Sequence, residues 1–260
     1  MGDPADRPRR RPSRATVIGV DFRAALLEQT RLFGDVIRQA DPSTPVPTCP
    51  DWTVTQLFRH VGRGNRWCAQ IISDRLSDGL DPRDVRDGKP PEDLDAAIDW
   101  LNTGAQLILD AVDHVGPQRV WTFLGPRPAG WWVRRRLHEL TVHRADAELA
   151  VGTEYTLPAE LAADGVSEWI ELATAAGLGL SPGQRLHLHA TDDGLGPTGE
   201  WLVVNDEDGL AWSHAHAKGD VAVRGPALNL LLAITRRRAD GVDVLGDNAV
   251  WDDWLANTPF

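Results

Sequence analysis

Hydrophobic residues recur at spacings of three and four positions through the first half of the chain. In the segment that starts at Val20, Leu26 follows Phe22 by four positions, and Val36 and Ile37 follow Phe33 by three and four. The pattern gathers apolar side chains on one face of an α-helix. The sequence therefore predicts an amphipathic helix that ends at Asp41-Pro42.

The same periodicity predicts three more helices, at about 54–76, 92–114 and 128–152. The second starts at a capping box, since Thr53 can cap the helix and Gln56 can accept a hydrogen bond from the Thr53 backbone N–H. Four helices in succession predict a helical bundle.

The pattern changes after Pro158. A helix predicted at 158–176 is followed by segments in which apolar and polar residues alternate, which is typical of half-buried strands. These segments are RLHLHAT at 185–191, EWLVVND at 200–206 and GLAWSHAHA at 209–217, and a helix is predicted after them at 226–237.

These elements predict an α+β fold in three parts. Residues 1–16 combine Pro, Arg and small polar residues without periodicity, and we expect them to form a disordered tail. Residues 17–154 form the helical bundle, and residues 155–260 form a smaller C-terminal α+β domain.

Charge and composition narrow the range of functions. The net charge of −11 argues against a nucleic-acid-binding protein, because binding to phosphates needs clustered Lys and Arg. The arginines at 134–136 are expected on a solvated helix face. The sequence has neither the roughly 20 consecutive apolar residues of a membrane span nor a signal peptide, so we expect a cytoplasmic protein without a membrane partner. Only Cys49 and Cys68 are present, so any metal must bind to His and carboxylate side chains.

Glu139 and His143 have the spacing of metal ligands. They lie four positions apart on the predicted fourth helix, so their side chains emerge on one face, one turn apart. His60 on the second helix could reach the same point within a bundle. Two His and one carboxylate leave a position of a zinc ion open, as in catalytic zinc sites. The alternative is a solvated helix face, where a Glu and a His at this spacing are common.

Three segments carry a resemblance to a known family: VPTCPDWTVTQLFRHVG at 46–62, RLHELTVHRADAELAVG at 136–152, and VRGPALNLLLAITRRR at 223–238 with the VLGD that follows. In their order and spacing they resemble the mycothiol-dependent maleylpyruvate isomerase family of actinobacteria, over residues 20–256. The resemblance implies a DinB-like four-helix N-terminal domain, a small α+β C-terminal domain, a bound divalent metal, and mycothiol as a thiol cosubstrate.

The resemblance also implies site residues. The metal-binding residues of the family match His60, Glu139 and His143. An active-site Arg of its C-terminal domain matches Arg224, which is expected to act in catalysis and to bind a substrate carboxylate or the thiol cofactor. The alternative for Arg224 is a surface position at the end of a strand. Trp132 is expected either to line the pocket, where it would contact the cofactor, or simply to pack.

Other histidines fall outside this set. His187 with His189, and His214 with His216, are each two positions apart and so share one face of a predicted strand. No carboxylate accompanies either pair at ligand spacing, so exposed strand positions are favoured over a second metal site. His138 is expected to point away from the metal.

A thiol is mostly protonated at neutral pH, and a divalent metal stabilises its thiolate. We therefore expect an enzyme that binds zinc or another divalent metal and uses mycothiol, a low-molecular-weight thiol, to attack a small-molecule electrophile. S-transfer is favoured over cis-trans isomerisation because members of the family act in varied conjugation steps. A metal-dependent hydrolase and a non-catalytic small-molecule binding protein are the alternatives. The protein is expected to be a monomer or a homodimer.

Overall fold

The structure, a computed structural model, describes residues 19–238 and 240–258. The disordered tail predicted at 1–16 lies outside these residues. Within them the α+β class is confirmed, with seven α-helices and two β-sheets. None of the helices in this described part has the length and apolar character of a membrane span.

The first half of the chain is a four-helix bundle, as predicted. Its helices are α1 (Phe22–Gln39), α2 (Val54–Ser73), α3 (Leu94–Val115) and α4 (Trp131–Val151). Helix α2 starts at the predicted capping box, where the Thr53 backbone N–H donates to Gln56 Oε1 at 2.6 Å. Gly152 ends α4 with a φ of 76°, a left-handed conformation that favours glycine.

Each helix of the bundle packs mainly against two neighbours. Helix α1 packs against α3 and α4, and α2 packs against the same two helices. Their apolar faces meet in a core whose fully buried side chains include Leu26, Phe33, Leu57, Leu101 and Leu137. Because α2 is a neighbour of α4, His60 on α2 contacts Glu139 on α4.

A short hairpin that the sequence pattern does not predict joins α3 to α4. Its strands are β1 (Arg119–Val120) and β2 (Arg127–Pro128). Two residues are too few for the alternation by which a strand is recognised in a sequence. The turn between the strands carries Phe123 and Leu124, which line the cavity described below.

The second half consists of a five-stranded sheet and three helices, and the predicted domain boundary at residue 155 falls just before it. The elements are α5 (Ala159–Ala175), β3 (Arg185–Ala190), β4 (Glu200–Asp206), β5 (Gly209–Ser213), β6 (Val221–Gly225), α6 (Ala227–Ile234), β7 (Asp243–Gly246) and α7 (Asn248–Asn257). The strand order is β5-β4-β3-β6-β7, in which β3 and β6 are parallel and the other neighbours antiparallel. Since β5 ends at Ser213, the strand predicted at 209–217 is too long, and His214 and His216 lie in the loop after it.

One face of this sheet packs against the three helices. Leu186 and Leu188 of β3 are buried in the core on that face. Because side chains alternate along a strand, His187 and His189 lie on the opposite face. The register of β3 with β6 pairs His189 with Arg224, so Arg224 shares this opposite face.

Buried ion pairs join α4 to α5 and so connect the two halves. Arg134 forms a bidentate pair with Asp164, with nitrogen–oxygen distances of 2.8 and 3.1 Å, and His138 Nε2 lies 2.7 Å from the same carboxylate. Arg135 pairs with Glu168 at 2.5 Å. The expectation of a solvated face for the arginine run is therefore wrong. Helix α5 covers Arg134 and Arg135 and supplies their carboxylates, whereas Arg136 is buried against α2, where its Nε donates to Asn65 Oδ1 at 3.1 Å.

Helices α2 and α3 approach each other closely at Gly62. A Cβ atom there would lie 2.0 Å from Cζ3 of Trp100. Gly62→Ala is therefore expected to lower the free energy of unfolding by about 1–3 kcal/mol in urea unfolding, since overpacking outweighs the gain in helix propensity. Gly130→Ala is the control, because nothing lies within 4 Å of a Cβ atom at that position. Equal stabilities of the two variants would contradict the close packing.

Candidate metal centre

The neighbouring helices α2 and α4 bring His60, Glu139 and His143 together. His60 Nε2 lies 3.2 Å from Glu139 Oε1, and the ring centroids of the two histidines are 4.9 Å apart. One nitrogen or oxygen atom from each of the three residues lies within 4.8 Å of the others. The structure thus places all three predicted metal ligands at one point.

Arginines on α4 keep the carboxyl group of Glu139 ionised. Burial alone would raise its pKa, but the charge of Arg136 and the hydrogen bond with His60 hold the pKa well below its ordinary value. Arg136 Nη1 lies 2.7 Å from Glu139 Oε1, and Arg135 Nη2 lies 3.5 Å from Oε2. The ionised carboxylate is the form that binds a metal ion.

His143 is buried and is oriented by Asp146, which lies almost one turn further along α4. His143 Nδ1 is 2.9 Å from Asp146 Oδ2. Burial lowers the pKa of His143, against the opposing effect of Asp146, so the imidazole is neutral at physiological pH. With Nδ1 beside Asp146, Nε2 is the ring nitrogen that His143 would offer to a metal, and carboxylates commonly orient metal-binding histidines in this way.

Asp146 is held by groups from distant segments of the chain. Arg237 donates from Nε and Nη2 to its carboxylate at 2.9 and 3.0 Å, and the Thr48 hydroxyl donates at 2.6 Å. Burial would raise the pKa of Asp146, but its hydrogen bonds with His143 and Arg237 hold the pKa well below the ordinary value. Asp146 is therefore a fixed anion behind the candidate ligand His143.

The turn at the end of α6 directs Arg237 toward Asp146. Arg236 has a φ of 61°, a left-handed conformation in which a helix cannot continue. Helix α6 consequently ends at Ile234, three residues before the predicted end of the helix at 226–237. The Arg237 side chain is 5% exposed and forms its ion pair with Asp146 across the contact between the two halves.

Neither cysteine supplies a nucleophilic thiolate at this site. Cys49 Sγ lies 3.4 Å from Asp146 Oδ2, and burial together with the Asp146 charge raises the pKa of the thiol to about 11. Cys68 is fully buried, which also raises the pKa of its thiol. Both thiols are protonated at neutral pH and are poor nucleophiles.

The three candidate ligands open into a cavity of about 1060 Å³ that residues of both halves line. Its apolar wall includes Trp52, Phe123, Leu124, Trp169, Leu172 and Leu178. Four arginines also line it, namely Arg127, Arg135, Arg236 and Arg237. A mostly apolar cavity of this size with a few convergent polar groups is typical of a small-molecule site.

Two of the predicted site residues lie away from this cavity. Arg224 is exposed on the face of the sheet opposite the helices, because Val223 beside it occupies the core. Trp132 is 2% exposed, and its Nε1 donates to the backbone oxygen of Trp121 at 2.9 Å. The Trp132 ring packs behind Phe123, with the ring centroids 5.8 Å apart. Neither Arg224 nor Trp132 is among the side chains that line the cavity in the described part of the chain.

Three residues around the site are not found by the sequence reasoning. Asp146 has a readable signal, because a carboxylate three positions after a His on a helix can bond its second ring nitrogen. Trp52, whose ring centroid is 4.9 Å from that of His60, follows the Pro-rich turn before α2. Arg237 has no comparable signal, because its partner is 91 positions away in the sequence.

The donor set fits a divalent metal ion. A buried neutral imidazole, an ionised carboxylate and a second imidazole converge on one point, and the point faces a cavity. Zinc binds such nitrogen and oxygen ligands, and three protein ligands leave a coordination position for a small molecule.

Comparisons with known proteins agree with this geometry. The family model of the mycothiol maleylpyruvate isomerase (MDMPI) N-terminal domain matches residues 23–148, and that of the MDMPI C-terminal domain matches residues 160–253. No curated protein shows significant sequence similarity to the chain.

Two solved structures have a similar fold. One is a histidine-to-alanine mutant of the mycothiol-dependent maleylpyruvate isomerase, with a TM-score of 0.59 and 16% sequence identity, and the match covers 86% of this chain and 91% of that chain. The other is the mycothiol-dependent maleylpyruvate isomerase, with a TM-score of 0.54, 17% identity and the same coverage of 86% and 91%. At these identities the structures establish the fold alone. Because the two family models match both halves in order, the chain belongs to the mycothiol-dependent maleylpyruvate isomerase family of enzymes.

Proposed function

We propose that the protein is a mycothiol-dependent cis-trans isomerase that binds a divalent metal ion at His60, Glu139 and His143. Zinc is the metal that we propose for this site. The observation that carries the proposal is the convergence of these three side chains on one point at the wall of a large cavity. The names of the matching family and of both solved relatives support isomerisation. S-transfer, which the sequence reasoning favoured, therefore has less support.

The residues around the proposed metal position keep its ligands in the orientation and charge state that metal binding needs. A divalent metal, when bound, supplies positive charge that favours the deprotonated form of a thiol. Asp146 keeps the ring of His143 in one orientation, and Arg136 keeps Glu139 ionised. The thiol is mycothiol, the cosubstrate that the name of the matching family supports.

The cavity favours a substrate that carries a carboxylate. Arg127 and Arg236 line it in addition to Arg237, whose guanidinium is already paired with Asp146. A guanidinium binds a carboxylate by two parallel hydrogen bonds. We assign to Arg127 and Arg236 the substrate-binding role that the family resemblance assigns to Arg224, because they line the cavity and Arg224 does not.

Isomerisation requires that a double bond become a single bond for a time. The thiolate sulfur forms a bond to one carbon of a cis double bond, and the electron pair of that bond moves into an adjacent carbonyl group. After rotation about the single bond, the electron pair returns, the carbon–sulfur bond breaks and the thiolate is released unchanged. An arginine near the carbonyl oxygen stabilises the negative charge that develops there.

Turnover of maleylpyruvate, a cis-configured unsaturated oxo acid, with and without mycothiol tests the proposal. We expect the trans isomer to form over many turnovers while the concentration of free thiol stays constant. Arg127→Ala is expected to raise KM more than it lowers kcat, because it removes a contact that substrate and transition state share. His114→Ala, at an exposed position on α3, is the control.

Two outcomes would contradict the proposal. Consumption of one thiol per substrate molecule, with a stable adduct as product, would establish S-transfer instead of isomerisation. Formation of the trans isomer at the same rate without added thiol would remove mycothiol from the reaction.

A further inference from the structure

A second group of potential metal ligands lies on the open face of the C-terminal sheet. His187 and His189 stand two positions apart on β3, and Glu200 on β4 is the register partner of His189. His216 reaches the same point from the loop after β5. One nitrogen or oxygen atom from each of the four side chains lies within 4.8 Å of the others.

The three imidazoles surround one carboxylate. His187 Nε2 lies 2.5 Å from Glu200 Oε2, and His189 Nδ1 lies 2.7 Å from Oε1. His216 Nδ1 lies 3.0 Å from the same Oε1. The rings are close as well, with centroid separations of 5.2 Å between His187 and His216 and 6.1 Å between His187 and His189.

The carboxylate that completes this cluster is not visible in the linear sequence. His189 and Glu200 are 11 positions apart in the numbering, and only the antiparallel pairing of β3 with β4 places them side by side. The expectation of two separate histidine pairs on exposed strand faces is therefore wrong. His187 is 7% exposed, and His214 is directed elsewhere, with its Nδ1 2.8 Å from the backbone oxygen of Glu200.

We propose that His187, His189, Glu200 and His216 form a second site, separate from the catalytic centre, that binds zinc or a similar divalent transition metal. Imidazole nitrogen and carboxylate oxygen are ligands that zinc prefers, and four protein ligands make a closed, structural site. Ligand atoms at about 2.0–2.1 Å from a tetrahedral zinc are about 3.3 Å from one another, so small side-chain rotations close the site around the ion.

The depth of the four side chains suits this role. The His187 and Glu200 side chains are 8% and 15% exposed, whereas the His216 side chain is 76% exposed. An ion can therefore enter from solvent on the His216 side and rest against the sheet. Once bound, it fixes the loop that contains His216 to β3 and β4. Because a metal that binds only the folded state stabilises that state, the site links the loop to the stability of the sheet.

Metal titration of the full, untagged chain in a His60→Ala/His143→Ala background tests the proposal, because this background removes the proposed catalytic ligands. We expect it to bind one equivalent of Zn²⁺ by calorimetry and to give the absorption spectrum of a tetrahedral site with Co²⁺. Addition of His216→Gln should weaken Zn²⁺ binding at least about tenfold. His214→Gln is the matched control and should leave binding unchanged.

The number of zinc ions bound per chain, measured in proteins that keep His60 and His143, gives an independent test. Zinc-loaded wild type should contain two equivalents, and His189→Gln/His216→Gln should contain one while retaining catalytic activity. Zn²⁺ should raise the Tm of the His60→Ala/His143→Ala variant and should not raise it when His189→Gln and His216→Gln are added. Two results would overturn the second site. One is a wild type that binds a single equivalent of zinc and loses all of it in His60→Ala/His143→Ala. The other is zinc binding in the His60→Ala/His143→Ala variant that persists after His189→Gln and His216→Gln are added.

Discussion

Replacing His143 with alanine is expected to lower the bound divalent metal by one equivalent per chain and mycothiol-dependent turnover by at least about 100-fold. His143 is buried, is held by Asp146 and contributes one of three converging ligands, so its loss leaves the candidate centre with only His60 and Glu139. His60→Ala should give the same loss. Elemental analysis of the zinc-loaded proteins and turnover measured on the same samples test both changes.

The Asp146→Asn variant tests how much the orientation of His143 contributes, because it leaves His143 itself in place. An amide in place of the carboxylate keeps the shape of the side chain and removes the charge that orients His143 and pairs with Arg237. Loss of such an outer partner costs about 10–100-fold in metal affinity or activity. We therefore expect an intermediate phenotype, with His114→Ala again as the neutral control. Full metal content and full activity in His143→Ala would exclude the proposed centre.

Asp164→Ala is expected to lower the free energy of unfolding by about 3–5 kcal/mol. This carboxylate is 2% exposed and accepts hydrogen bonds from Arg134 and His138 across the contact between α4 and α5. Its removal takes the bidentate partner from Arg134, which keeps only Glu171 at 2.9 Å, and takes the carboxylate from the buried His138. Loss of one partner of a buried pair costs more than the pair itself contributes. Urea unfolding of wild type and variant, monitored by tryptophan fluorescence, measures the difference.

Asp113→Asn is the matched control for this change. Asp113 also forms an ion pair with an arginine of another helix, Arg23, but both side chains are exposed. Exposed pairs contribute about 0–1 kcal/mol, so the control should unfold close to wild type. If Asp164→Ala were no less stable than Asp113→Asn, the buried ion pairs would not hold the two halves together.

Acid should weaken the same contact. Burial would raise the pKa of Asp164, but the hydrogen bond with His138 and the charge of Arg134 lower it to about 2. A carboxyl group whose pKa is lower in the folded than in the unfolded state stabilises the fold above its unfolded pKa, and this stabilisation is lost as the pH falls through the folded pKa. The Asp164 contribution should therefore disappear between about pH 4 and pH 2, and the stability difference between wild type and Asp164→Ala should narrow over that range.

Most of the secondary structure could be predicted because it depends on local patterns. The helices of the bundle follow from hydrophobic spacing, and the start of α2 at Thr53 follows from a capping interaction between residues three positions apart. The elements that were not predicted correctly also have local causes. Strands β1 and β2 have two residues each, and α6 ends early because Arg236 adopts a left-handed conformation, which no common rule assigns to arginine.

The candidate site could be predicted only in part. Glu139 and His143 lie one turn apart on a single helix, so their spacing and the family motif suffice to pair them. Arg224 was assigned from a short motif, and the alternation of β6 places it on the open face of the sheet. Arg237 lines the cavity but could not be predicted from the sequence, because its partner Asp146 lies in the other half of the chain.

By itself, the sequence determined the fold class, because periodicity and capping are properties of neighbouring residues, and it identified the family through the order of its motifs. The three metal ligands are a prediction from that resemblance. Only the tertiary structure decided which arginines line the cavity, that the arginine run of α4 is buried against α5 and α2, and that Glu200 joins three histidines. These features arise from contacts between residues far apart in the chain. Such contacts depend on how helices and strands pack and pair, and a linear pattern does not encode them in any local form.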